Sequence, residues 1–115
     1  MPNWQQRADE FAQSHNFSHP PSVYALDLMS ELGEVAKEML LATQYGERPF
    51  QPTAALTDEL GDALYSLCCL ATAANVDLET AFTGALAKYQ ARWQEKGYVG
   101  SSAASGQKSN NMEQA

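Results

Sequence analysis

Basic residues are scarce in this chain. Its 115 residues hold seven Lys and Arg against fourteen Asp and Glu, for a net charge of −7. Nucleic-acid backbones and anionic membrane surfaces both need clustered cations, so neither is expected as a partner. No apolar run approaches the roughly 20 residues that cross a bilayer, and Met1–Arg7 lacks the apolar centre of a signal peptide. There are two cysteines, Cys68 and Cys69, adjacent within a helical pattern. Their side chains point in different directions and cannot bridge without strain. They read as reduced core or interface residues, and the expected compartment is the cytoplasm. Alternating strand patterns are absent throughout.

What the chain has is helical periodicity. Asn3 is a plausible N-cap for a first helix from Trp4 to about Ser14, with Trp4, Ala8, Phe11 and Ala12 as its apolar stripe. Pro20 and Pro21 break the pattern. Ser22 is expected to cap a second helix running to about Thr43, with Val23, Leu26, Leu28, Leu32, Val35, Met39 and Leu40 at helical spacing. A loop with Gly46, Pro49 and Pro52 follows. Thr53 or Thr57 opens a third helix to about Asn75, with Leu56, Leu60, Ala63, Leu64, Leu67 and Ala71 as its core stripe. Asp77 caps a fourth through about Glu95, its inward face running from Leu78 through Phe82, Leu86 and Tyr89 to Trp93, and Gly97 ends it. From Gly100 onward the composition is Ser, Ala, Gly, Gln and Asn, too polar to offset ordering entropy. The expected architecture is all-α: a four-helix domain over residues 1–97, with helices two and three as a long central antiparallel pair, and a disordered tail over 98–115.

The central pair carries the chemistry. Helix two contains Glu31-Leu-Gly-Glu34, with Glu38 two turns beyond Glu31, and helix three contains Glu59-Leu-Gly-Asp62. A step of three residues turns a helix by about 300°, so the two carboxylates of each motif leave from neighbouring positions on one face. Antiparallel packing is expected to bring Glu31 and Glu34 opposite Glu59 and Asp62. A half-buried helix that stacks carboxylates beside its apolar stripe repels itself unless a positive charge sits among them. All-oxygen ligation suits Mg²⁺, with Mn²⁺ as a substitute, rather than zinc. A di-iron bundle would need a Glu-x-x-His pair, and neither His15 nor His19 lies in one. One Glu-x-x-Glu by itself is common on solvated helix faces. Two on neighbouring helices, each beside apolar helical spacing, are not.

The pair of motifs, separated by 24 residues, resembles the Glu-x-x-Glu…Glu-x-x-Asp signature of MazG-like nucleotide pyrophosphohydrolases. The resemblance takes in Phe17-Ser18-His19-Pro20, together with Lys88 and Arg92 in the last helix, and covers roughly residues 4–96. It implies hydrolysis of a nucleoside triphosphate to the monophosphate and pyrophosphate, in house-cleaning or control of nucleotide pools. It also implies a homodimer or a homotetramer built as a dimer of dimers. Carried over by position, Glu31, Glu34, Glu59 and Asp62 would ligate Mg²⁺, and Glu38 would add a ligand or orient the attacking water. The catalytic group is then Glu34, Glu38 and Asp62, and the substrate-binding group is His19, Tyr65, Lys88 and Arg92. Arg92 stands where some relatives carry an Asn that contacts the nucleotide. Lys88 and Arg92 also suit a solvated basic face near a helix C-terminus, and His19 suits a turn. Trp4, Phe17 and Tyr65 fit a core as well as a base-stacking role. Some of the apolar residues spread over several helix faces, with Tyr65, Cys68, Cys69 and Leu70 in that group, are expected between subunits. A non-catalytic helical interaction module, or a nucleotide-sensing one, is the alternative reading.

Overall fold

Asn3 starts the first helix as its side chain allows: Oδ1 accepts from the backbone N–H of Gln6 at 2.9 Å, which satisfies one of the unpaired N-terminal donors. The structure is a computed structural model and describes residues 3–100. It consists of α1 (Trp4–Ser14), α2 (Pro21–Ala42), α3 (Ala54–Ala73) and α4 (Leu78–Lys96). Among the described residues there is no strand, so the all-α expectation holds, with four helices and the acidic motifs on the central two. The expected tail falls largely on residues 101–115, outside the described residues.

One expected cap is corrected. Ser22 lies inside α2, which begins at Pro21 with Pro20 as an N-cap that makes no side-chain hydrogen bond. Proline at the first helical position has a suitable φ and lacks only an N–H that would have been unpaired there anyway. Thr53, by contrast, caps α3 by accepting from Leu56 N at 3.1 Å.

The first three helices end alike. Asn16, Gln44 and Asn75 take left-handed φ values of 57°, 47° and 58°. Phe17 N then bonds Ala12 O, Tyr45 N bonds Leu40 O, and Val76 N bonds Ala71 O, at 2.7–2.8 Å. This geometry satisfies the last carbonyls and reverses the chain. Asn tolerates it because its side chain is short and polar; Gln44 and Tyr45 adopt it without that advantage.

The described residues form two compact units, one reaching to Leu78 and the other starting at Glu79. In the first, α2 packs along α3, and α1 packs on another side of α3. Its buried residues are Ala8, Ala12, Tyr24, Ala63, Ser66, Cys68, Cys69 and Ala71. The expected α3 stripe is therefore corrected in part: Ala63 and Ala71 are buried, while Leu60, Leu64 and Leu67 are exposed. Trp4, Phe11, Leu32 and Met39 are exposed as well. The buried residues of α3 are small, while Leu56 and Leu70 are half-buried and Leu60, Leu64 and Leu67 keep more of their surface exposed. Cys68 and Cys69 are free thiols inside this unit, and burial raises both above the usual thiol range. They are core residues, the first of the two readings that the sequence allowed.

Gln5 ties the ends of this unit together. Its Nε2 donates to Thr72 Oγ1 and Val76 O, and its Oε1 accepts from Leu78 N at 2.8 Å. The second unit contains α4, none of whose residues is buried. Gly97 closes α4 at a φ of 80°, its N–H on Trp93 O.

Candidate metal centre

The face of α2 that meets α3 is read from burial: Tyr24 is buried, and Leu28, Glu31, Val35, Glu38 and Ala42 are half-buried, while the positions between them are exposed. These six recur at steps of three and four, the seam of a helix packed lengthwise on another. Two carboxylates, Glu31 and Glu38, lie in that seam. Glu34 is rotated away from it and exposed.

Across the pair, Glu31 of α2 meets Glu59 and Asp62 of α3, with carboxylate oxygens all within 4.8 Å of one another. Glu31 and Glu59 are half-buried and Asp62 is exposed, so the cluster is open to solvent on one side. Glu34 and Glu38 are outside this trio but within its field. Partial burial pushes the Glu59 carboxyl above its ordinary range, and the charges of Asp62, Glu34, Glu31 and Glu38 push it further in the same direction. Five negative groups act on one locus, and such a set favours either a proton or a cation.

The remaining site candidates fall into separate settings. His19 packs edge-on against Tyr24 with ring centres 5.5 Å apart. It lines a cavity of about 360 Å³ together with Asp9, Gln13, Phe17 and Cys69. Tyr65 lines a second groove, of about 470 Å³, between α1 and α3, with Trp4, Arg7 and Phe11 beside it. Burial and a hydrogen bond to Cys69 push its hydroxyl up to about 12. In the second unit, Lys88 Nζ lies 5.4 Å from the centre of the Tyr89 ring, and Arg92 Nη1 donates to Val99 O at 3.0 Å.

Sequence reasoning missed an aromatic group at the end of α1. Phe11 and His15 have ring centres 4.4 Å apart, and Phe17 lies 5.5 Å from His15 and 6.1 Å from Phe11. The four-residue step from Phe11 to His15 was the available signal. The return of Phe17 depends on the left-handed turn at Asn16.

Compared with known proteins, residues 20–96 match the model of the MazG nucleotide pyrophosphohydrolase domain. The chain belongs to that family. The matched region contains both acidic motifs and all of α2, α3 and α4. Over 68 residues the chain is 37% identical to the uncharacterized protein YpjD of Bacillus subtilis (strain 168), a stretch covering 56% of this chain and 60% of that protein. The chain thus aligns with less than two thirds of this relative's length. No solved structure matches it. The MazG assignment agrees with a four-helix, all-α chain that gathers acidic residues between its central helices. No helix among the described residues is long and apolar enough to cross a membrane.

Proposed function

We propose that this MazG-family chain hydrolyses a nucleoside triphosphate between its α and β phosphates, releasing the monophosphate and pyrophosphate in a Mg²⁺-dependent reaction. The observation that carries the proposal is the meeting of Glu31, Glu59 and Asp62 within 4.8 Å in a chain of net charge −7. An all-carboxylate set on two rigid helices suits a hard divalent cation that keeps part of its coordination for water and phosphate oxygens. Glu31, Glu34, Glu59 and Asp62 are the proposed ligands, with Mn²⁺ as a substitute for Mg²⁺. Bound there, the cation would offset charge on the phosphate oxygens and favour ionisation of the hydrolytic water.

Glu38, in the seam beside Glu31, is proposed to orient that water or add a ligand. His19 and Tyr65 are proposed to contact the nucleotide, and Lys88 and Arg92 to hold its phosphates or sugar. The proposed substrates are deoxynucleotides or non-canonical nucleotides, in a house-cleaning or pool-controlling role in the cytoplasm. The proposed assembly is a homodimer, or a tetramer formed as a dimer of dimers. A sensing or interaction module with the same carboxylates would bind nucleotide or partner without turnover.

The test is pyrophosphate release over a panel of canonical and modified nucleoside triphosphates, with Mg²⁺ and with chelator. Metal-dependent release of pyrophosphate and monophosphate in equal amounts is expected. Nucleotide binding without release across the whole panel would move the protein to the sensing class.

A further inference from the structure

The cavity beside His19 lies on the same face of the central helix pair as the acidic cluster. Tyr24 of α2 and Cys69 of α3 both line it. Tyr24 precedes Glu31 by seven residues, and Cys69 follows Asp62 by seven. Seven residues make nearly two turns, so each pair shares one face of its helix, and at 1.5 Å per residue the offset is about 10 Å. Because α2 and α3 run in opposite directions, both offsets point the same way along the pair. Two helices thus place the cavity independently at one distance from the cluster. A nucleoside triphosphate with its phosphates at the cluster would reach the cavity with its base. The volume of about 360 Å³ is enough for a pyrimidine or a purine.

The walls of the cavity differ in chemistry. Phe17 and His19 are exposed and offer ring faces of the kind on which bases stack. Asp9 of α1 is half-buried there. Its charge acts on the Tyr24 hydroxyl and on the Cys69 thiol, both of which are buried, so the carboxylate belongs to the inner side of the cavity. One turn further along α1, Gln13 Nε2 donates to Asp9 Oδ2 at 2.8 Å. This bond holds the carboxylate in place and uses one of its acceptor sites. An ionised carboxylate has about four such sites and no donor.

We infer that Asp9 reads the base of the nucleotide, its carboxylate accepting a hydrogen bond from an exocyclic amine, so that amine-bearing bases are taken in preference to their amine-free counterparts. The inference rests on the hydrolase reading for the class of ligand, and adds which bases are accepted. An amine donates to the carboxylate. A keto oxygen in its place sets a second acceptor against the first, and in a half-buried site both are left unpaired. That loss exceeds the value of the bond itself, and a site built around a donor on the substrate rejects the analogue that lacks it. Gln13 is a positioning residue in this arrangement, since it touches Asp9 and not the base. Deaminated nucleotides, with a keto oxygen where the amine was, then fall outside the preferred substrates.

Matched nucleotides that differ at the amine test this on the full chain: dCTP against dUTP, dATP against dITP, and dGTP against dITP. In the pair that the wild type turns over best, the amine-bearing member is expected to lead in kcat/KM on the order of ten- to a hundredfold, the value of one hydrogen bond to a charged group. Asp9→Asn keeps the shape, and its amide donates as well as accepts. It is expected to erase or invert the lead while remaining helical by circular dichroism. A general defect in packing would slow both members together and leave their ratio alone. Calorimetry with dCMP, dUMP, dAMP, dGMP and dIMP in EDTA reads the base site without metal or turnover, and the same preference is expected there. Equal use of the paired members by the wild type would overturn the inference and leave the hydrolase reading standing. So would a folded Asp9→Asn protein whose ratio is unchanged. An amine preference in calorimetry without pyrophosphate release from any triphosphate would support the base site and count against the hydrolase. No binding of any monophosphate at millimolar concentration, with no release, would overturn both.

Discussion

The carboxylates of Glu31 on α2 and Glu59 on α3 approach within 4.8 Å across the helix pair, with Asp62 completing the group. Like charges this close oppose folding unless a proton or a cation sits between them. The folded protein therefore holds the Glu59 proton more tightly than the unfolded chain does. A raised carboxyl makes the native state bind more protons above the ordinary value of 4.5, so its effect is to lower stability as pH climbs from there through the folded value. Melting curves in chelator are expected to show a falling Tm over that window, and Glu59→Gln is expected to flatten the fall. Equal slopes for the two proteins would remove Glu59 as the cause.

Metal should reverse the effect at neutral pH. A ligand that binds only the folded state at a hundredfold excess over its Kd adds about 2.7 kcal/mol. Mg²⁺ is therefore expected to raise Tm by several degrees in the wild type and by much less in Asp62→Asn. Superimposable melts with Mg²⁺ and with EDTA would argue against a cation at this cluster.

Asp62→Asn also separates fold from turnover. The amide keeps the shape and removes the charge at an exposed position, so circular dichroism should not change. Pyrophosphate release is expected to fall on the order of a hundredfold or more, as when one preorganised charge-stabilising group is lost. Lys88→Ala should instead raise KM more than it lowers kcat, the signature of a group that grips substrate equally in ground and transition states. A folded Asp62→Asn protein with full turnover would favour the interaction-module reading.

Tyr65 offers a measurement independent of any ligand. Of the five tyrosines, Tyr65 is held up to about 12 by burial and its bond to Cys69. Burial raises Tyr24 as well, so an ultraviolet titration should show late ionisation of which Tyr65→Phe removes the Tyr65 share. Because the folded value exceeds the ordinary 10.0, the tyrosine contributes stability below pH about 10 that is lost as pH rises toward 12. A variant whose titration matches the wild type would show that the late step belongs elsewhere.

Gln5 is the residue whose importance the sequence hides. Gln5→Ala removes three hydrogen bonds, to Thr72, Val76 and Leu78. The expected loss is about 1–3 kcal/mol, read from chemical denaturation. Gln5→Glu keeps the acceptor for Leu78 N and loses both donated bonds, so it should fall between wild type and Gln5→Ala. No change in either variant would mean that water replaces the amide at no cost.

Local chemistry determined most of the secondary structure, because a helix is stabilised by neighbours three and four residues apart. Asn3, Thr53 and Gly97 could be read as helix boundaries from their own side chains or lack of one, and the two acidic motifs could be placed on helical faces by spacing alone. The family followed from those same motifs. Periodicity could not say which arc of an apolar helix meets its neighbour. Both α2 and α3 are apolar over more than one face, so Leu60, Leu64 and Leu67 fitted the same stripe as the buried Ala63 and Ala71, while the buried Ser66, Cys68 and Cys69 lay outside it. The angle at which α3 presents itself to α2 decided that, and with it which acids meet: Glu31 with Glu59 and Asp62, while Glu34 turns outward. Gln5 reaches Thr72 and Val76 only because α1 lies along α3. Contacts between residues so far apart in sequence depend on how whole helices pack, and no local pattern encodes them.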